Sequence, residues 1–120
     1  MTVEVYMSHT MSEAEFVEKA EETIAELEKA YSRLAEELDL DIEVEGGVLT
    51  VTFEEGEPGK YIVSPNSSAR QVWLSARVSS FKFDWSQEKG TFVIASTGEA
   101  IRDVMTRLTR EQLGDPGISL

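Results

Sequence analysis

Residues 12–45 read SEAEFVEKAEETIAELEKAYSRLAEELDLDIEVE, and two periods follow one another along them. Phe16, Ala20, Ile24, Leu27, Tyr31, Leu34 and Leu38 recur every three or four residues, the spacing of one face of an α-helix. Ser12 and Glu15 form a capping-box pair at its start, in an acidic first turn that suits the helix dipole. From Asp39 the period falls to two. Leu40, Ile42 and Val44 alternate with Asp39, Asp41, Glu43 and Glu45, which describes a strand with one apolar and one acidic face. Gly46-Gly47 ends that strand in a turn. The stretch therefore predicts one long helix running directly into a strand. Its thirteen acids, against the three bases Lys19, Lys29 and Arg33, must stand on the solvated side of both elements.

Downstream, Val48 to Phe53 alternates again, with Leu49, Val51 and Phe53 facing inward. Gly56, Pro58 and Gly59 mark a turn into a strand over Lys60–Ser64, and Pro65 to Ser68 reads as a loop. In Gln71–Ala76 the coherent aliphatic set is Val72, Leu74 and Ala76, which sends Gln71, Trp73 and Ser75 to the other face. A wet indole is a binding signal, whereas the opposite orientation would make Trp73 ordinary core. Phe81, Phe83 and Trp85 give a further strand, Gln87–Gly90 a turn, and Thr91–Ala95 the last strand. Ser96 with Glu99 suggests a second capping box, opening a helix with the stripe Ile101, Val104, Met105 and Leu108. The expected fold class is α+β, with two helices on one face of an antiparallel sheet and the other face wet. Residues 12–113 are expected to form one domain, between a flexible tail over residues 1–11 and a short tail over residues 114–120. The single histidine, His9, falls in the first tail and reads as incidental.

A 120-residue chain without cysteine excludes disulfides, thiolate metal sites and cysteine catalysis. No apolar run approaches the roughly 20 residues of a membrane span, and the start of the chain is neither a signal nor a transit peptide. A soluble cytoplasmic protein is expected, or a mitochondrial-matrix one if the chain is processed. The net charge of -12 is uneven: residues 1–57 hold seventeen acids and three bases, residues 58–120 six acids and eight bases. That balance argues against a nucleic-acid partner and points to cations or a basic protein surface. The plain alternative is a solvated face that keeps a small protein soluble.

One histidine and no cysteine leave no convincing nucleophile with its base, and no phosphate-cradling glycine loop is present, so an enzyme is not expected. Oxygen-only ligands suit hard cations such as Fe(III), Mg, Ca and Mn, and hold Fe(II) weakly. Without an EF-hand spacing or a histidine cage, the site would be open and hydrated. At 100° per residue Glu21 and Glu28 share one flank of the helix, Glu18 and Glu36 lie further round, and Asp39, Asp41 and Glu43 continue the patch onto the strand.

Several segments together resemble the frataxin family, including its bacterial form. They are Ala20-Glu21-Glu22-Thr23, Gly47-Val48-Leu49-Thr50-Val51, Tyr61-Ile62-Val63, Gln71-Val72-Trp73-Leu74-Ser75, Phe83-Asp84-Trp85 and the Gly98 turn. The likeness runs in order from Ser12 to Leu113. It implies an α-β sandwich and a non-enzymatic, iron-binding protein that docks on the cysteine desulfurase complex and modulates iron-sulfur cluster assembly, as iron donor or regulator. The alternative reading is an acidic protein-interaction module with incidental metal binding. A third, an iron oxidase or iron-storing oligomer, lacks a di-iron Glu-x-x-His pattern. Carried over by position, Glu18, Glu21, Glu22, Glu28, Glu36, Asp39, Asp41 and Glu43 fall on or beside the family's iron-binding acidic ridge. Ser64, Asn66, Arg70, Gln71 and Trp73 fall at its partner-binding face. The implied cofactor is weakly bound iron, Fe(II) or Fe(III). The implied partners are the desulfurase and the scaffold protein, with no membrane contact, for a monomer or an iron-dependent oligomer. Val17, Ala25, Lys29, Ser32 and Arg33 depart from the family's acidic pattern, Phe92 replaces a tryptophan, and Ser64 stands where Asn is typical.

Overall fold

The computed structural model describes residues 11–54 and 59–120; residues 1–10, with His9, and 55–58 of the expected turn lie outside the described residues. Helix α1 spans Glu13–Leu34 and opens on the capping box read from the sequence. The Glu15 N–H donates to Ser12 Oγ at 3.1 Å, and the Ser12 N–H donates to Glu15 Oε1 at 3.0 Å. The Ser12 backbone N–H, and after it the Ser12 side chain, hold the Glu15 carboxyl below the usual carboxylate range. Phe16, Ala20, Ile24, Leu27 and Tyr31 are buried, as their spacing requires.

The helix stops one turn earlier than the period suggests. Past Leu34 the chain tightens, with the Glu36 N–H reaching Arg33 O at 3.2 Å and the Glu37 N–H reaching Leu34 O at 3.1 Å. This closing turn keeps Leu38 against the core while it re-aims the backbone for the first strand.

Six strands follow: β1 Leu40–Glu45, β2 Val48–Phe53, β3 Gly59–Asn66, β4 Gln71–Ala76, β5 Ser79–Ser86 and β6 Thr91–Val93. They lie side by side in chain order, every neighbouring pair antiparallel. Strand β3 extends through Pro65 and Asn66, which the sequence assigned to a loop, because both still pair with Val72 and Gln71 of β4. Strand β6 is shorter than Thr91–Ala95. The Gly98 N–H turns back to Ile94 O at 2.7 Å, and Val93 bridges to Ala100.

Helix α2 spans Ile101–Leu113. Its cap is Ala100, without a side-chain bond, so the second capping box does not form. Gly98 adopts φ +77°, a left-handed turn that suits glycine, and delays the helix until Ser96 is too far back to reach its first amides. Glu99 instead receives Arg107 Nη2 at 3.0 Å and Nε at 3.2 Å. Ile101, Val104 and Met105 are buried as expected, and so is Thr109, while Leu108 is half-buried.

Both helices cover one sheet face. Leu49, Val51, Phe53, Val63, Val72, Leu74, Phe83 and Phe92 join Phe16, Tyr31, Val104 and Met105 in a single core. Three hydroxyls stitch it. Thr109 donates its hydrogen to Met105 O at 2.7 Å, so the 2.8 Å contact with Tyr31 must take its hydrogen from the tyrosine. Tyr61 donates to Leu108 O at 2.8 Å, and burial pushes its hydroxyl up to about 12. Beyond Gly114 the chain folds back on α2: Ile118 is buried, Arg110 Nε donates to Ile118 O at 2.7 Å, and Arg102 Nε donates to Leu120 O at 3.0 Å.

Candidate functional site

The cross-strand register decides which acids stand together. Glu43, Thr50, Ile62, Ser75 and Ser80 form one straight row over five strands, and Asp41, Thr52 and Lys60 the next. Directly opposite residues share a face. Asp41 and Glu43 therefore lie on the sheet face that the helices leave bare, the face that also carries Trp73. Helix α1 lies on the opposite side of the sheet, so the candidate acids of the helix and those of β1 stand on different sides of the outer strand.

The helix acids divide as well. Glu21 and Glu28 border a groove toward β1. Glu22 meets Lys19 Nζ at 3.7 Å, and that ammonium also sits 5.5 Å from the centre of the Trp85 ring, on the flank toward β5. Glu18 is exposed on the outer face, Glu36 is exposed in the closing turn, and Asp39 is exposed ahead of β1. Among the described residues no three Asp, Glu or His side chains converge closely enough to hold a metal ion. Solvated carboxylates of this kind attract hydrated hard cations by summed charge, without a fixed coordination sphere.

On the bare face Trp73 stands 37% exposed and firmly held. Its Nε1–H donates to Gln71 Oε1 at 3.0 Å, and Gln71 Nε2 donates to Asp84 Oδ1 at 3.1 Å. Lys82 Nζ lies 5.0 Å from the ring centre, a cation-π contact. Trp73 and Lys82, with Ile62, Ser64, Ser75 and Ser80, line a shallow hollow of about 290 Å³. The outward indole agrees with the strand alternation, and Gln71 and Ser64 accompany it.

Asn66 and Arg70 stand at the β3–β4 turn. Asn66 Oδ1 accepts the Ala69 N–H at 3.0 Å. Arg70, at φ +54°, donates to the carbonyls of Met11 and Ser67, tying the β3–β4 turn to the entry of α1. Sequence reading missed Lys82, Asp84 and Ile62. Pairing β3 and β5 with Gln71–Ala76 in register would have brought all three beside Trp73.

The frataxin-like domain family matches residues 9–115. The chain belongs to the frataxin family. Among its relatives is the iron-sulfur cluster assembly protein CyaY of Azotobacter vinelandii, 33% identical over 108 residues, covering 88% of this chain and 93% of the relative. CyaY of Stutzerimonas stutzeri is 38% identical over 78 residues, with 65% and 69% covered. The frataxin of Psychromonas ingrahamii shares the fold at a TM-score of 0.76 and 21% identity, over 88% of this chain and 94% of that one. Two helices on a six-stranded antiparallel sheet are thus this chain's version of the frataxin sandwich, as the sequence resemblance implied. Frataxins form a non-enzymatic family. Among the described residues no helix is long and apolar enough to cross a membrane.

Proposed function

We propose that this frataxin acts, without catalysis of its own, in iron-sulfur cluster assembly in the cytoplasm. Its exposed acids on α1, ahead of β1 and along β1 act together as a crest that docks on a basic surface of the cysteine desulfurase and gathers iron as cargo or signal. Its Trp73 face meets the scaffold protein, which makes the chain a monomeric iron donor or regulator. One observation carries the reading: Asp41 and Glu43 of the crest share the uncovered sheet face with Trp73. A cation-gathering surface and an aromatic contact surface therefore adjoin, so one partner complex could span both. The names of the curated relatives support the pathway.

Charge reversal at Glu21, Glu22, Asp39 and Asp41 together tests the crest. The variant is expected to keep its melting temperature, to associate with the desulfurase more slowly, and to lose most of its effect on cluster formation, because exposed charges act mainly on encounter. Unchanged association kinetics would remove the crest from the docking surface. The second reading, an acidic interaction module with incidental metal binding, is favoured by the lack of a converging carboxylate group among the described residues. Assays with and without iron separate the two, since the module would act equally in both.

A further inference from the structure

Between α1 and the β1–β2 hairpin runs an open groove of about 590 Å³. It exists because small residues face one another across it. Ala20 and Ala25 of the helix line it together with Gly46 and Gly47, whose φ values of +60° and +80° belong to the hairpin turn. An added Cβ at either glycine would meet nothing within 4 Å. Ile24 and Pro65 line the groove, Val48 adds to the lining from the hairpin, and Val17 and Val44, 39% and 37% exposed, offer it open aliphatic surface. Glu21 and Glu28, one flank of the helix, lie along the same opening. An aliphatic slot edged by two carboxylates, inside the most acidic part of a chain of net charge -12, is complementary to one kind of occupant.

We infer that this groove seats a bulky aliphatic side chain of a basic partner segment, with lysines or arginines on either side of it engaging Glu21 and Glu28. The inference rests on the proposal that the crest meets a basic protein, and adds an apolar anchor to it. Charge alone would give an encounter that salt dissolves, because exposed ions are screened within about 10 Å at 0.1 M. A buried aliphatic group adds binding that salt does not screen, and contributes register, since a slot accepts an anchor at one position. The groove lies on the helix side of β1, away from the Trp73 face, so both surfaces can be occupied together.

The probe is a short blocked peptide with a central leucine-isoleucine pair flanked by lysines, titrated onto the full chain with resonance mapping. Its control carries serines in place of the pair. The leucine-isoleucine peptide is expected to perturb Val17, Ile24, Val44 and Val48 and to keep part of its affinity at high salt, whereas the control loses nearly all of its own. At high salt, where the added charge is screened, Val17→Asp should weaken the first peptide about tenfold or more, and at low salt it should leave the control no weaker. Val44→Thr, which suits a strand, gives the same reading should Val17→Asp disturb the helix. Glu21→Gln with Glu28→Gln should weaken both peptides at low salt. Equal affinities for the two peptides, with neither valine variant having an effect, would overturn the groove while leaving the charged crest intact. The inference also falls if perturbations centre on Trp73, or if neither peptide binds. Cross-relaxation from residues 1–10 to Val17 or Val44, or self-association abolished by Val17→Asp, would give the groove to the chain itself and equally overturn it.

Discussion

Trp73 shows how one residue can be exposed and still fixed. Gln71 and Asp84 orient its indole from one edge, and Lys82 lies against the ring, so little rotamer freedom remains to be lost when a partner arrives. Trp73→Ala is expected to lower stability by far less than the about 3–5 kcal/mol that truncating a buried large aromatic costs, while coupling to the assembly machinery falls sharply. Melting temperature and assembly activity measured on one preparation check this; unfolding, or undiminished activity, contradicts it. The buried hydroxyls make a second case. Because Thr109 already donates to Met105 O, Tyr31→Phe removes a donor and leaves only an acceptor lone pair unmatched. Thr109→Val strands the Tyr31 O–H itself in the core. Tyr31→Phe should cost about 1 kcal/mol and Thr109→Val about 2 kcal/mol or more, in that order, by denaturant titration of the two variants. The reverse order would mean that the hydrogen between them runs the other way.

At the scale of elements, the two helices begin differently although their sequences look alike. Ser12 caps α1 with both halves of a capping box, whereas Ser96 lies in the turn before α2 and caps nothing. Ser12→Ala should therefore cost about 1 kcal/mol, and Ser96→Ala should stay within about 0.5 kcal/mol, as ordinary surface changes do; a pair of thermal melts decides. This contrast marks what was legible. Periods of 3.6 and two exposed every strand and both helices, because each element has a single buried face that its side chains must reveal. Capping boxes are short local patterns, and a left-handed glycine at Gly98 with a bridge from Val93 to Ala100 overrides one of them. The closing turn after Leu34 was hidden for a related reason: Leu38 keeps the helical spacing while its backbone no longer does. The candidate site was legible by type and only partly by place. Alternation sends Trp73 outward, but only the register puts Asp41 and Glu43 on its side of the sheet and Lys82 against its ring. Arg70, read as a contact residue, has a positive φ and donates to two backbone carbonyls, contacts that no alternation pattern announces.

For the molecule as a whole, charge and topology each leave a mark. With acids crowded on α1 and β1, the free protein repels itself, so adding neutral salt at low ionic strength should raise its melting temperature even as it slows association with a basic partner. A melting temperature that falls with salt would mean that attractive pairs such as Arg107–Glu99 outweigh the repulsion. Topology acts in time rather than in space. The strands pair strictly with their predecessors, so the sheet can be laid down hairpin by hairpin as synthesis proceeds. The helix seam cannot, since Tyr31 and Thr109 stand 78 residues apart. Helix α1 leaves the ribosome before the sheet and α2, its Phe16, Ile24 and Leu27 sheltered only partly until α2 has been made. A nascent chain interrupted anywhere before Thr109 therefore offers chaperones and proteases the same greasy helix face, and the docking of α2 is the event that withdraws it.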